Sequence, residues 1–347
     1  MLKNYLKNNA RFLKLTVGKE KPIPYWSTEN KIILNKQTLS LRHFPHRNIK
    51  HKNPVLILPP QAGNHCNLAD FAPDQSLVRV FQQKGFDVYV TEWLSATYHD
   101  KDLGIEDYIN LTDDGIEAIR ENSGAEKIHI IGQCQGGWQV AMYNSLFPEK
   151  IKSLTIAAAP IDMEADSCAI SSYVKMPLSY FQFFVAMGFG LMDGKIMVLG
   201  FKNMQMNEFY HQKYKQLWQM IENGDEEGLE RHQRFENWFG YTQKLPGKFY
   251  LEVVDKLFKK NGLVKKMIEI NGEIVDLQNI HCRTIILAGE KDRITRPKQV
   301  FALKDHISTP GKNIFSFLSN GGHIGTLMSK DSLRDNWQKV AELLKVA

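Results

Sequence analysis

Between residues 31 and 158 the chain alternates two hydrophobic rhythms. Residues 31–42 (KIILNKQTLSLR) switch between apolar and polar with a period near two, which predicts an early pair of strands. The run PVLIL (residues 54–58) is short, apolar and stopped by Pro59 and Pro60, the pattern of a buried strand leading into a loop. A helical stretch around Ser76 to Lys84 comes next, then the strand DVYVTEW (87–93), a helix from about Ile105 to Glu121, the strand KIHIIG (127–132) and a further strand in IKSLTIAA (151–158). Strand and helix alternating at such short intervals predict a mainly parallel, doubly wound sheet with helices on both faces. In such sheets the active site is built by loops at the carboxyl ends of the strands.

The rhythm then stops. Residues 163–278 are rich in aromatics and methionine and read as mostly helical, a cap inserted into the sheet. It resumes with TIILAGEKD (284–292), a helix from Pro297, the strand NIFSF (313–317) and a closing helix from about Ser329. The resulting division is an N-terminal basic helical segment over 1–30, an α/β core over 31–162 and 279–347, and the cap. In the first segment Leu2, Leu6, Phe12 and Leu13 stand among Lys3, Lys7, Arg11 and Lys14, which predicts a basic amphipathic helix packed on the domain. The most apolar stretch, Tyr180 to Phe201, is broken by Asp193 and Lys195, well short of the ~20 apolar residues of a membrane span. It reads as a buried or interface segment.

Composition narrows the picture in three ways. A chain of 347 residues, 43% hydrophobic, can bury one large core carrying an insertion, and its 24% charged and 11% aromatic content is that of an ordinary folded protein. The net charge of +6 is spread along the sequence and gives no nucleic-acid footprint. Cys66, Cys134, Cys168 and Cys282 form neither a CxxC pair nor a Cys/His cluster, so neither a disulfide framework nor a metal site is expected. The first residues (MLKNYLKNNARFLKL) lack the long apolar core of a secretory signal, and a reducing cytoplasm is the expected setting.

The candidate chemistry centres on IHIIGQCQGGW, which sets Cys134 in the pattern Gly-x-Cys-x-Gly-Gly directly after a strand and before a helix. That context is a nucleophile elbow, the mark of an α/β-hydrolase fold. Gly132 and Gly136 suit a sharp turn in which backbones approach closely, and the dipole of the following helix favours a thiolate. The Gln135 N–H then faces the developing oxyanion, with a second donor expected from the loop Gln61 to His65, for which Ala62 is the choice. Such a nucleophile needs an acid and a histidine later in the chain, in that order. Asp292 follows the strand IILAGE, and His323 lies in SNGGHIG after the next strand. Read singly, Cys134 could be a packed cysteine, Asp292 a helix N-cap and His323 a loop histidine. Their order joins them as a candidate triad, with His323 the base and Asp292 fixing its tautomer. His129 alternates inside a strand and reads as sheet packing, Cys66 as a small side chain, and Trp138 as either pocket wall or core filler.

With these residues placed, the chain resembles the polyhydroxyalkanoate synthases, particularly the shorter catalytic subunits that act with a partner. The likeness runs from about residue 50 to the end, through PDQSLVRVFQQKGFDVYVTEW, LGIEDYIN, GQCQGG, FPEKIKSLTIAAAPID, FENWF, NGLVKKMIEINGEIVDLQNI, LAGEKD and GGHIG. It departs from the family at Arg293, where a histidine usually follows the aspartate, and at Trp138, where a small or hydroxylated residue follows the glycine pair. The run CQGGW is shared with a related group of synthase-like hydrolase-fold proteins. The resemblance implies polymerisation of 3-hydroxyacyl groups from coenzyme A thioesters, with Cys134 carrying the acyl chain, His323 activating it and Asp292 assisting. It implies no resident cofactor, coenzyme A entering only as the thioester substrate. It also implies a homodimer, a second synthase subunit, and attachment to the surface of polyester granules. Two other functions stay open: an ester or thioester hydrolase, or polyester depolymerase, using the same triad with water, and a non-catalytic granule-associated protein.

Overall fold

The structure is a computed structural model that describes residues 2–16, 22–204 and 212–347. Its centre is an eight-stranded sheet: β1 (Lys31–Lys36), β2 (Leu39–Phe44), β3 (Val55–Leu58), β4 (Val88–Trp93), β5 (Ile128–Gln133), β6 (Ile151–Ala157), β7 (Arg283–Gly289) and β8 (Ile314–Ser319), in the order β1-β2-β4-β3-β5-β6-β7-β8. β1–β2 and β2–β4 pair antiparallel; every other pairing is parallel. β3 and β5 are buried along their whole length, as central parallel strands covered on both faces must be, and that is why they read as continuous apolar runs. Helices α2 (Leu77–Gln83), α3 (Ile105–Ser123) and α4 (Gln135–Leu146) fill the crossovers. Ser76 caps α2 by accepting from the Arg79 N–H, and α3 ends on Gly124 in the left-handed region.

Strand register sets the working edge. Leu58 pairs with Gly132, Gln133 with Ala157, Ala157 with Leu287, and Gly289 with Ser319. The carboxyl ends of β3, β5, β6, β7 and β8 therefore lie side by side, and the loops that follow them open on one rim.

Between β6 and β7 lie α5 (Ala169–Tyr173), α6 (Leu178–Met187), α7 (Gly194–Met204), α8 (Lys213–Asn223), α9 (Glu226–Gly240), α10 (Gly247–Glu252) and a π-helical turn (Val253–Lys259). The insertion is thus mostly helical, with two-residue ladders pairing Leu191–Met192 with Leu245–Pro246 and Glu269–Ile270 with Glu273–Ile274. We treat 163–278 as the cap; its residues 205–211 lie outside the described ones. The apolar stretch from Tyr180 divides into α6, a turn and α7. α6 turns Phe181 and Val185 inward and leaves Phe183 and Met187 exposed, with Phe189 just beyond it. No helix among the described residues is long and apolar enough to cross a membrane.

The N-terminal helix α1 (Leu2–Thr16) packs on the cap. Phe12 meets the Trp218 ring edge-on at 5.8 Å, and Arg11 donates to Glu226 at 2.8 Å. Leu217, Ile221 and Leu229 form a small separate core beneath it, each worth about 1.5–3 kcal/mol of burial. Of the segment 1–30 read as helical, helix is described over Leu2–Thr16, whereas 22–30 are without regular structure apart from a bend at 27–28. Met1, the side chains of Leu2, Lys3 and Asn4, and residues 17–21 lie outside the described ones. After β7 come α11 (Pro297–Phe301) and α12 (Leu303–His306). After β8 come α13 (His323–Met328), α14 (Lys330–Ser332), a π-helical turn (Leu333–Trp337) and α15 (Gln338–Lys345).

Candidate active site

Cys134 stands between the last residue of β5 and the first of α4, with φ 52° and ψ −115°. A non-glycine residue at positive φ is strained, and the surroundings hold it there. The Cys134 N–H donates to Ala157 O at 2.8 Å, and the Gly137 N–H donates to Cys134 O at 2.9 Å. A Cβ on Gly132 would strike the Gly136 carbonyl, and one on Gly136 would strike the Leu58 carbonyl, so only glycine permits β3, β5 and α4 to meet this closely.

Asp292 lies just past the end of β7 and is fully buried. Its Oδ1 accepts from the Ile294 and Thr295 N–H groups at 2.8 and 3.0 Å, and its Oδ2 accepts from Thr295 Oγ1 at 2.8 Å and pairs with His323 Nδ1 at 2.7 Å. Burial pushes this carboxyl pKa up, yet the donors from His323 and Thr295 outweigh it and hold the group below the ordinary carboxylate value. His323 begins α13 rather than sitting inside a loop, because the Gly322 N-cap turns the chain directly into helix. Burial pulls its pKa down, but the Asp292 carboxylate, hydrogen-bonded to it at 2.7 Å, and the nearby Cys134 side chain raise it well above the usual imidazole value. His323 thus pairs with the Asp292 carboxylate and lines the same cavity as Cys134.

Two cavities meet at Cys134. The wider, about 390 Å³, is lined by Leu68, Phe235, Trp238, Phe239 and Leu327, with Lys213, Gln216, His232 and Glu236 of α8 and α9 on its polar side. Lys213 and Glu236 pair across it at 2.6 Å. The narrower, about 120 Å³, is walled by Trp138, Ile170, Tyr173, Met192, Leu245, Phe249 and Tyr250 and is almost wholly apolar. Ala62, Cys134, Phe201 and Ile294 border both. Gln135 and, from the loop after β3, Ala62 both line the narrow cavity. The first N–H groups of a helix lack intrahelical partners, so that of Gln135, the first residue of α4, is available to an oxyanion beside Cys134. Trp138 both walls the narrow cavity and is buried, its ring 6.3 Å from that of Phe249.

The other sequence candidates fall elsewhere. His129 Nδ1 lies 2.7 Å from Ser153 Oγ inside the sheet, and burial lowers its pKa to about 3, so it stays neutral. Cys66 is fully buried; its sulfur accepts from the Trp93 N–H at 3.2 Å, and burial pushes its thiol pKa up. Arg293 is exposed beyond Asp292, its carbonyl accepting from the Ala169 N–H. No cluster of three potential metal-ligating side chains occurs among the described residues.

Sequence reasoning passed over several residues. Thr295 supplies two of the donors on Asp292, and its signal was present as Asp-x-x-Thr, a local turn in which an acid accepts from the chain ahead of it. A buried charge network was also missed: His65 Nε2 donates to Glu92 at 2.9 Å, and Glu92 accepts from Arg42 Nε at 2.6 Å. Burial works against the Glu92 charge, but His65 and Arg42 keep its pKa below the usual value. The partners lie far apart in sequence on β2, β4 and the loop after β3, so no local pattern announces them.

The comparisons with known proteins agree with this architecture. The poly(3-hydroxyalkanoate) polymerase subunit PhaC of Haloferax mediterranei is 26% identical over 91% of the chain and 63% of its own length. That of Haloarcula marismortui is 29% identical over 84% and 61%. For Synechocystis sp. the figures are 29%, 81% and 75%. The chain therefore spans about three-fifths of the two haloarchaeal relatives. Among solved structures, a monoacylglycerol lipase of Paleococcus ferrophilus superposes with a TM-score of 0.51 at 14% identity, over 89% of this chain and 99% of its own. Mouse alpha/beta hydrolase domain-containing protein 10 gives 0.51 at 13%, over 92% and 100%. At such identities these structures establish the α/β-hydrolase fold. The family model described as "Protein of unknown function (DUF3141)" matches residues 43–346, and the chain belongs to that family, whose fold here is the α/β hydrolase and whose sequence is related to the polyhydroxyalkanoate polymerase subunits.

Proposed function

We propose that this chain is a polyhydroxyalkanoate synthase-like acyltransferase that takes 3-hydroxyacyl groups from coenzyme A thioesters through an acyl intermediate on Cys134. The observation that carries the reading is Cys134 itself: a cysteine at the elbow, sharing a cavity wall with the His323 of a His323–Asp292 pair, at the seam between an apolar cavity and a wider, polar-sided one. Cys134 Sγ attacks the thioester carbonyl while its proton rests on His323. The carbonyl oxygen gathers charge facing the Gln135 and Ala62 N–H groups, and the C–S bond to coenzyme A breaks as that thiolate takes the proton from His323. The 3-hydroxyl of a second unit then attacks the acyl-cysteine, giving its proton to His323 as the ester forms and the cysteine sulfur leaves. Asp292 keeps Nδ1 as the proton-bearing nitrogen throughout.

A thiolate exchanges readily with thioesters, and an apolar acyl cavity disfavours water against a hydroxyl acceptor. The relation to polymerase subunits supports the same choice over hydrolysis. The reading extends to a second subunit, a homodimer, a cytoplasmic setting and a polyester granule surface; the exposed Phe183, Met187, Phe189 and Leu199 of the cap offer an apolar face for one such contact. Incubating the purified chain and Cys134→Ala with 3-hydroxybutyryl-coenzyme A tests the core of it. Insoluble polyester made only by the unsubstituted protein is the expected result. Free 3-hydroxybutyrate instead would make it a hydrolase, and coenzyme A release by Cys134→Ala would remove the cysteine from the mechanism.

A further inference from the structure

The loop after β3, from Gln61 to His65, is tied to the sheet at one end and to the cap along its length. At the sheet side, the His65 Nδ1 accepts from the Asn67 N–H at 3.1 Å, and Nε2 donates to Glu92, itself held by Arg42. His65, Asn67 and Glu92 are buried, so this end is a fixed post. Toward the cap, Asn64 Nδ2 points at the carbonyl end of α9, donating to Phe239 O at 3.0 Å and sharing longer contacts with Tyr241 O at 3.3 Å and Trp238 O at 3.4 Å. The last carbonyls of a helix lack intrahelical donors, and here one side chain from the catalytic rim serves them. The contact is returned twice: the Trp238 indole donates to His65 O at 2.8 Å, and the Gln243 N–H donates to Gly63 O at 2.8 Å. Gly63 sits at φ +90°, where a Cβ would also press on the Gly194 carbonyl at 3.3 Å, so the loop backbone lies directly against the start of α7.

α9 is also a wall of the wide cavity, through Phe235, Trp238 and Phe239. A shift of α9 as that cavity fills is therefore a shift of the group that Asn64 holds. We propose that Asn64 is a positioning residue that couples the seating of the cap to the oxyanion donor: by binding the end of α9 it sets the Ala62–Gly63 backbone at the distance from Cys134 where the Ala62 N–H meets the developing oxyanion. This rests on the acyl-transfer reading of Cys134. Asn64 borders the wide cavity, but its amide nitrogen is directed at the carbonyls ending α9, and it acts through the backbone next to it.

The test separates oxyanion stabilisation from nucleophile reactivity. Acylation of Cys134 by p-nitrophenyl butyrate forms an oxyanion, whereas alkylation by iodoacetamide does not. For Asn64→Ala and Asn64→Asp, the nitrophenolate burst should slow about 10–100-fold, the scale of a displaced oxyanion donor, while the alkylation rate stays within about twofold of the unsubstituted protein. A burst at the original rate, or an alkylation rate that falls in parallel, overturns the inference. Trp238→Phe removes the returned indole bond while keeping an aromatic ring in the cavity wall, and should slow the burst about 3–10-fold with alkylation within about twofold. It decides the matter if the Asn64 variants do not fold, and an unaltered burst there overturns the coupling. Failure of the underlying reading looks different: a burst with the nitrophenyl ester but no coenzyme A release from 3-hydroxybutyryl-coenzyme A removes the substrate assignment and leaves Asn64 in its role. An unsubstituted protein that gives no burst at all overturns both.

Discussion

The elbow and the cap solve opposite problems within one molecule. Around Cys134, β3, β5 and α4 touch backbone to backbone, and side chains such as Ile130, Ile131, Val140 and Ala141 are wholly buried. The cap instead joins short helices, keeps Phe183, Met187 and Phe189 in solvent, and spends polar side chains on a cavity wall. The difference teaches where chemistry and selectivity are written. The elbow fixes one geometry for the Cys134 backbone, and the cap offers a surface that can be reshaped while that geometry stays. The loop at Asn64 and His65 is where the two meet.

The comparison breaks most visibly at Trp138, which belongs to the elbow helix but packs against Phe249 of the cap. Trp138→Ala should cost about 3–5 kcal/mol of stability, measured by chemical denaturation, and should widen the narrow cavity enough to raise the relative rate with longer acyl thioesters. A loss below about 1 kcal/mol would show that the site collapses without penalty. Gly136→Ala forces a Cβ into the Leu58 carbonyl and should cost about 1–3 kcal/mol or more, visible as a lower Tm, with loss of Cys134 reactivity even in the folded fraction. The ion pair sharpens the contrast through pH. A raised His323 pKa makes its contribution fully present below about pH 6.5 and lost as pH rises through the folded-state value, while the lowered Asp292 pKa makes its share present above about pH 4 and lost on acidification. The Tm gap between the unsubstituted protein and His323→Gln should therefore be widest from roughly pH 4 to 6.5 and narrow in more alkaline buffer. A gap that grows with pH would contradict the charged imidazole. Smallest of all, Phe189→Ser on the cap surface should change stability by no more than about 0.5 kcal/mol.

Much of the core was legible because its signals are local. Apolar runs such as VLIL and IHIIG mark buried parallel strands, and Gly-x-Cys-x-Gly-Gly at a strand-to-helix junction marks the elbow with little dependence on distant residues. The positions of Asp292 and His323 were legible through topology, since each follows a strand whose carboxyl end must reach the same rim. What escaped depends on tertiary meetings. The place where α1 lies is set by Trp218, some two hundred residues away, and the His65–Glu92–Arg42 network joins residues on separate strands.

Rapid mixing with 3-hydroxybutyryl-coenzyme A, an acid quench and peptide mass mapping test the central claim most directly. The account predicts free coenzyme A together with a 3-hydroxybutyryl thioester on the peptide containing Cys134, and neither in Cys134→Ala. Coenzyme A released at full rate while Cys134 stays unmodified would contradict it.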